Sequence, residues 1–241
     1  MSAENLALRI ENARFAYRRG GPIVVDVASF VVEAGERVFL KGASGSGKST
    51  LLGLVAGILE PQTGEVEVLG ERLDAMAAPK RDRFRAARLG VIFQMFNLLP
   101  YLPVGANVTL PCRFSAERAA AVKNAGGAEA EARRLLGRLG LDPREVWSKR
   151  ASELSVGQQQ RVAAARALIG APGLILADEP TSALDADSRD AFIGLLKDEC
   201  ASSGAALVFV SHDGGLADHF DRALDLAEIN TARADSARAP A

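Results

Sequence analysis

GASGSGKST occupies residues 42–50, between a short apolar run ending at Leu40 and a segment in which Leu51, Leu52, Leu54, Val55 and Ile58 recur at helical spacing. That order is strand, loop, helix, the building unit of an α/β fold. Gly42, Gly45 and Gly47 let the backbone curl with its N–H groups pointing inward, where a Cβ would obstruct a phosphate. Lys48 follows at the distance from which an ammonium reaches the β- and γ-phosphates, and Ser49 offers a hydroxyl to Mg²⁺. The helix that opens there adds its positive end to the same charge. The candidate nucleotide-binding set is therefore Gly42, Ala43, Ser44, Gly45, Ser46, Gly47, Lys48, Ser49 and Thr50.

Phosphoryl transfer to water needs a metal to neutralise oxygens and a group to orient or deprotonate the water. LILADE, residues 174–179, supplies candidates for both at the carboxyl end of an apolar strand, where ligands collect in open parallel sheets. Asp178 is placed to hold Mg²⁺ through water. Glu179, followed by the strand-breaking Pro180, is the candidate general base. Upstream, LSVGQQQR at 154–161 is a glycine-bearing turn that opens a helix, a second potential anion cradle.

With 241 residues the chain has room for one sizeable α/β unit. A formal charge of -1 gives no electrostatic footprint of a nucleic-acid binder. Its apolar runs fall short of the ~20 residues a membrane helix requires. The first ten residues, interrupted by Glu4 and Arg9, lack the pattern of an export signal, so a cytoplasmic setting is expected. Cys112 and Cys200 have no metal-type spacing and read as packing residues.

Around the glycine loop, residues 6–19, 24–36 and 64–70 alternate apolar and polar side chains between turn formers, predicting a β-rich, antiparallel N-terminal subdomain. Residues 97–155 turn rich in Ala, Glu and Arg and predict a helical subdomain. Helix 154–170, strand 174–177, helix 188–199 and strand 205–210 then alternate, which predicts a mostly parallel sheet. The expected organisation is one domain over 1–230 and a frayed tail over 231–241.

Taken together these segments resemble the ATP-binding subunit of ATP-binding cassette (ABC) transporters, a P-loop NTPase fold, from Leu6 to about Ile229. GASGSGKST resembles the family's Walker A loop, LILADE its Walker B strand, LSVGQQQR its signature motif and SALD, with Ser182 and Asp185, its D-loop. The resemblance implies ATP and Mg²⁺ as ligands. It makes Gln94 the glutamine that senses Mg²⁺ and water, His212 the switch histidine at the γ-phosphate, and Tyr17 or Phe15 the aromatic that stacks on adenine. It also implies a head-to-tail homodimer, in which Ser155, Gly157 and Gln158 of one copy complete the site of the other. Where the family's signature has a first glycine, this chain has Val156.

FQMFNLLPYLPVGANVTLP, residues 93–111, is similar to the subgroup that serves lipoprotein-release and macrolide-type exporters with FtsX-like permeases. That resemblance implies an integral membrane permease as partner and a peripheral position on the inner face of the bacterial cell membrane. Met95, Phe96, Leu98 and Leu99 are candidates for a groove that receives a permease helix, or for lobe core. The basic segment from Lys80 to Arg88 reads as a solvated helix face. The rivals are a cell-division-type signalling ATPase and a soluble ABC ATPase acting on DNA or the ribosome; no coiled-coil insertion, zinc cysteines or second cassette supports the latter.

Overall fold

A computed structural model of the chain describes residues 5–182 and 184–232. Strands β1 (Leu6–Phe15), β2 (Val25–Glu33), β4 (Thr63–Val68) and β5 (Glu71–Arg72) form an antiparallel sheet in the order β2-β1-β4-β5. A five-stranded sheet takes β6 (Leu89–Ile92), β7 (Leu174–Asp178), β8 (Ala206–Ser211), β3 (Arg37–Lys41) and β9 (Arg222–Asp225) in the order β6-β7-β8-β3-β9. All its pairings are parallel.

Helix α1 (Lys48–Val55) leads from β3 to β4 of the antiparallel sheet, whereas α7 (Val156–Leu168) leads into β7 and α8 (Ala186–Ser203) connects β7 to β8 of the parallel one. Helix α2 (Ala78–Arg88) leads into β6, and α9 (Leu226–Ile229) closes the fold against β2. The span 97–155 contains α3 (Val104–Phe114), α4 (Ala116–Ala121), α5 (Ala128–Arg138) and α6 (Pro143–Val146).

The central strands β7 and β8 of the parallel sheet are buried on both faces, so they are almost continuously apolar, whereas the edge strand β9 is not. On β3, Phe39 joins the apolar cluster under α3, α5 and α7, whereas Val38 and Leu40 join the cluster that includes the antiparallel sheet and α1. Leu207 and Phe209 of β8 divide from Ala206, Val208 and Val210 in the same way. Two cores thus grip one sheet, and the carboxyl ends of β3, β6, β7 and β8 come to one edge.

Several boundaries differ from the sequence reading, three of them with a visible physical cause or consequence. Helix α1 ends at Val55 because Gly57 turns left-handed (φ 64), so Ile58 falls outside the helix and is 52% exposed. Tyr17 lies beyond β1 rather than within it. Thr231 and Ala232, counted with the tail, are held: the Thr231 amide donates to the Asp26 carbonyl at 2.9 Å, and Ala232 is buried. The rest of the expected tail, 233–241, lies outside the described residues.

Candidate active site

The loop between β3 and α1 holds its turn through left-handed glycines, Gly45 at φ 70 and Gly47 at φ 97, backbone that only glycine adopts without strain. It borders a cavity of about 300 Å³ lined also by Val24, Lys48, Gln94, Asp178 and Glu179. Sequence motifs far apart in the chain therefore meet at one place, because β3, β6 and β7 end there together.

Lys48 is buried, and its ammonium donates to the carbonyls of Gly42 at 2.8 Å and Ala43 at 3.0 Å. The same Nζ lies 3.0 Å from Glu179 Oε1. The other carboxylate oxygen of Glu179 is 2.5 Å from His212 Nδ1. Glu179 itself is left-handed at φ 45, and its amide donates to the Val210 carbonyl at 2.9 Å. A non-glycine residue there carries strain of order 1–3 kcal/mol, a feature that concentrates at functional sites. The sequence pointed separately to Lys48, Glu179 and His212; their interlocking was not legible in it.

Asp178 ends β7 beside this group. Burial pushes its carboxyl above the usual carboxylate range, opposed by the Ser49 hydroxyl, reinforced by Glu179 and opposed by Lys48. Its Oδ1 is buried without a hydrogen-bond partner. A buried orphan carboxylate oxygen beside a serine hydroxyl is the hard-oxygen donor set that suits Mg²⁺.

Gln94 lines the cavity just past β6. The chain then passes through two left-handed non-glycine residues, Phe96 (φ 58) and Asn97 (φ 49). Arg166 of α7 clamps both: its guanidinium donates to the Phe96 carbonyl at 2.6 Å and the Asn97 carbonyl at 2.7 Å. Sequence reading passed over Arg166, since one Arg in a helix carries no signal of its own. Of the apolar residues near Gln94, Met95 is 81% exposed, while Phe96 and Leu98 pack against the core.

Tyr17 and Phe15 separate by burial. Phe15 is core, whereas Tyr17 is 66% exposed and shares a 2.9 Å hydrogen bond with the Thr50 hydroxyl. Their rings meet edge to face, centroids 5.1 Å apart.

Ser155, Gly157 and Gln158 are not among the residues lining the cavity. Ser155 and Gln158 instead cap their own helix reciprocally: the Gln158 amide donates to Ser155 Oγ at 3.3 Å, and the Ser155 amide to Gln158 Oε1 at 3.0 Å. Val156 takes the first helical position with its side chain half-exposed, a place that does not demand glycine. Asp185 caps α8 through the Ser188 amide at 2.9 Å, and that bond holds its carboxyl below the usual range. The Ser182 amide donates to the Glu179 carbonyl at 3.3 Å.

The family model described as ABC transporter matches residues 25–182. Over 223 residues the chain is 40% identical to an uncharacterized ABC transporter ATP-binding protein of Mycobacterium tuberculosis, covering 91% of this chain and 86% of the relative. It is 37% identical over 223 residues to the lipoprotein-releasing system ATP-binding protein LolD of Chromohalobacter salexigens, with 92% and 91% covered. A second such protein, LolD 1 of Caulobacter vibrioides, is 42% identical over 197 residues, 80% of each chain. Among solved structures, the ATP-binding cassette MJ0796, dimeric and bound to ADP and Pi after hydrolysis, superposes with a TM-score of 0.79 at 32% identity, covering 90% of this chain and 93% of that one. With a glycine loop and an acidic strand end at one cavity, and this kinship over most of its length, the chain belongs to the ABC transporter family, as an ATP-binding, ATP-hydrolysing subunit.

Proposed function

We propose that this subunit dimerises on ATP and drives an FtsX-like membrane permease that releases lipoproteins or a similar hydrophobic cargo, from the inner face of the cell membrane. The observation that carries the reading is the relatives of 37–42% identity, spanning most of the chain, that are lipoprotein-releasing ATP-binding proteins. Among the described residues no helix is long and apolar enough to cross a membrane. A groove of about 340 Å³ beside the Gln94 loop, walled by Ile58, Phe93, Leu110 and exposed Phe114, is where a permease helix would dock.

In this reading the Lys48–Glu179–His212 chain is the resting arrangement of the catalytic groups. An incoming triphosphate competes with Glu179 for the Lys48 ammonium, and the freed carboxylate turns to a water as general base. His212 keeps hold of that carboxylate and faces the terminal phosphate. Ser49, Asp178 and Gln94 would hold Mg²⁺, which supplies charge neutralisation on the phosphate oxygens. Tyr17, exposed beside Thr50, stacks on adenine. The outward first turn of α7, with Ser155, Gly157 and Gln158, serves the phosphate bound by a second copy, and Ser182 and Asp185 lie at that dimer contact.

Glu179→Gln tests the scheme. ATP binding and dimer formation in ATP are expected to persist while hydrolysis falls by about 10²–10⁴-fold. Near-normal turnover, or a protein that stays monomeric in ATP by light scattering, would sink the proposal. Pull-down of the trapped dimer should bring a permease with a large periplasmic domain; a DNA or ribosomal partner would refute the transport reading.

A further inference from the structure

The side chain of Asn230, at the end of α9, is 7% exposed and uses all its hydrogen-bonding capacity. Its Nδ2 donates to the carbonyls of Val24 at 3.0 Å and Ser46 at 3.1 Å. Its Oδ1 accepts from the amides of Asp26 at 2.8 Å and Ala232 at 3.3 Å. One amide thus joins the end of the fold, the start of β2 and the phosphate loop.

The bond to Ser46 has a directional consequence. In a trans peptide the carbonyl of one residue and the N–H of the next point opposite ways. Holding the Ser46 carbonyl outward on Asn230 therefore turns the Gly47 N–H the other way, and Gly47 lines the nucleotide cavity. The contact is close: a Cβ on Gly47 would stand 2.9 Å from the Val24 carbonyl and 3.1 Å from Asn230 Nδ2. Val24, the other residue Nδ2 secures, is itself part of the cavity wall.

We propose that Asn230 is a positioning residue for nucleotide binding, which pre-sets the Ser46–Gly47 peptide so that its N–H already faces the phosphate. A glycine-rich loop left free must lose backbone entropy when ligand arrives, and pre-ordering removes that cost from the binding step. Asn230 bonds none of Lys48, Asp178, Glu179 or His212. Its loss therefore acts on affinity and leaves the chemical step alone. The inference rests on residues 42–50 being the phosphate cradle.

The test titrates ADP into the full-length protein by calorimetry, with KM and kcat for ATP measured in parallel. Asn230→Leu, equal in size and neutral, is expected to raise the ADP Kd and the ATP KM about tenfold, equivalent to about 1.4 kcal/mol, with kcat within about twofold. Should that variant not fold, Asn230→Ser, too short to reach both carbonyls, carries the same expectation. Thr231→Val is the control: it loses only a 3.2 Å bond to the Asp26 carbonyl on the same strand and should keep wild-type affinity whatever its melting temperature. Wild-type Kd in the Asn230 variants overturns the proposal, as does an equal rise in Thr231→Val or a fall in kcat at unchanged KM. A wild-type protein that does not bind ADP would overturn the phosphate-cradle assignment, and this inference with it.

Discussion

Arg118 sets two large opposing effects against each other, and replacing it with methionine measures the difference. Its side chain is 2% exposed on α4. The guanidinium donates to the carbonyls of Ile169 at 2.6 Å and Ala167 at 3.2 Å, at the end of α7, and to that of Leu89 at the start of β6. Among the described residues no carboxylate pairs with it. Burial accordingly pushes its pKa down to about 10, a drop that corresponds to roughly 3 kcal/mol of desolvation cost. Against that cost stand three buried carbonyls, whose orphaning costs about 1–3 kcal/mol each, on the order of 5 kcal/mol together. The hydrogen bonds win. Arg118→Met should lose about 2 kcal/mol of stability at pH 7, a fall in Tm of about 5 °C for a chain of this size. Urea denaturation by circular dichroism, with the slope unchanged between the two proteins, reads it directly. A variant as stable as wild type, or more so, would refute the reasoning, because the cost of the buried charge would then exceed what its bonds return.

Two further outcomes follow from the same geometry. Tyr17→Ala is expected to raise the KM for ATP by about tenfold, the middle of the 1–3 kcal/mol range for stacking on a base, whereas Tyr17→Phe, losing only the bond to Thr50, should stay near wild type; equal KM in all three would remove Tyr17 from the adenine site. Glu199, almost wholly buried on α8, binds Arg134 and Arg138 of α5 at 2.9 and 2.8 Å. Burial alone would raise its pKa, but the bonds to the two arginines outweigh it and hold the carboxyl below its ordinary 4.5. A depressed carboxylate contributes stability above the unfolded pKa and loses it as pH falls through the folded value. Glu199→Gln should therefore be less stable by about 1 kcal/mol at pH 7, with the gap to wild type closing below pH 4.5; a gap independent of pH would show that the ion pairs are not its source.

Much of the fold was legible because its determinants are local. Residues 42–50 specify their own backbone curl through glycines at fixed positions, and residues 174–179 announce a doubly buried strand by an unbroken apolar run that ends in acid. Alternation in 6–19 and 24–36 marked the antiparallel sheet, and the order of helix and strand after residue 154 marked the parallel one. These signals need only neighbours in sequence. What the tertiary structure alone decided depends on which distant groups burial brings within bonding reach. Glu179 carries no mark in sequence that it bridges Lys48 and His212. Tyr17 and Phe15 are equivalent aromatics until the core takes one and leaves the other in solvent. Asn230, Arg118 and Arg166 are single polar residues with no period and no motif; a position becomes decisive only where packing leaves a backbone carbonyl without water and one side chain long enough to reach it.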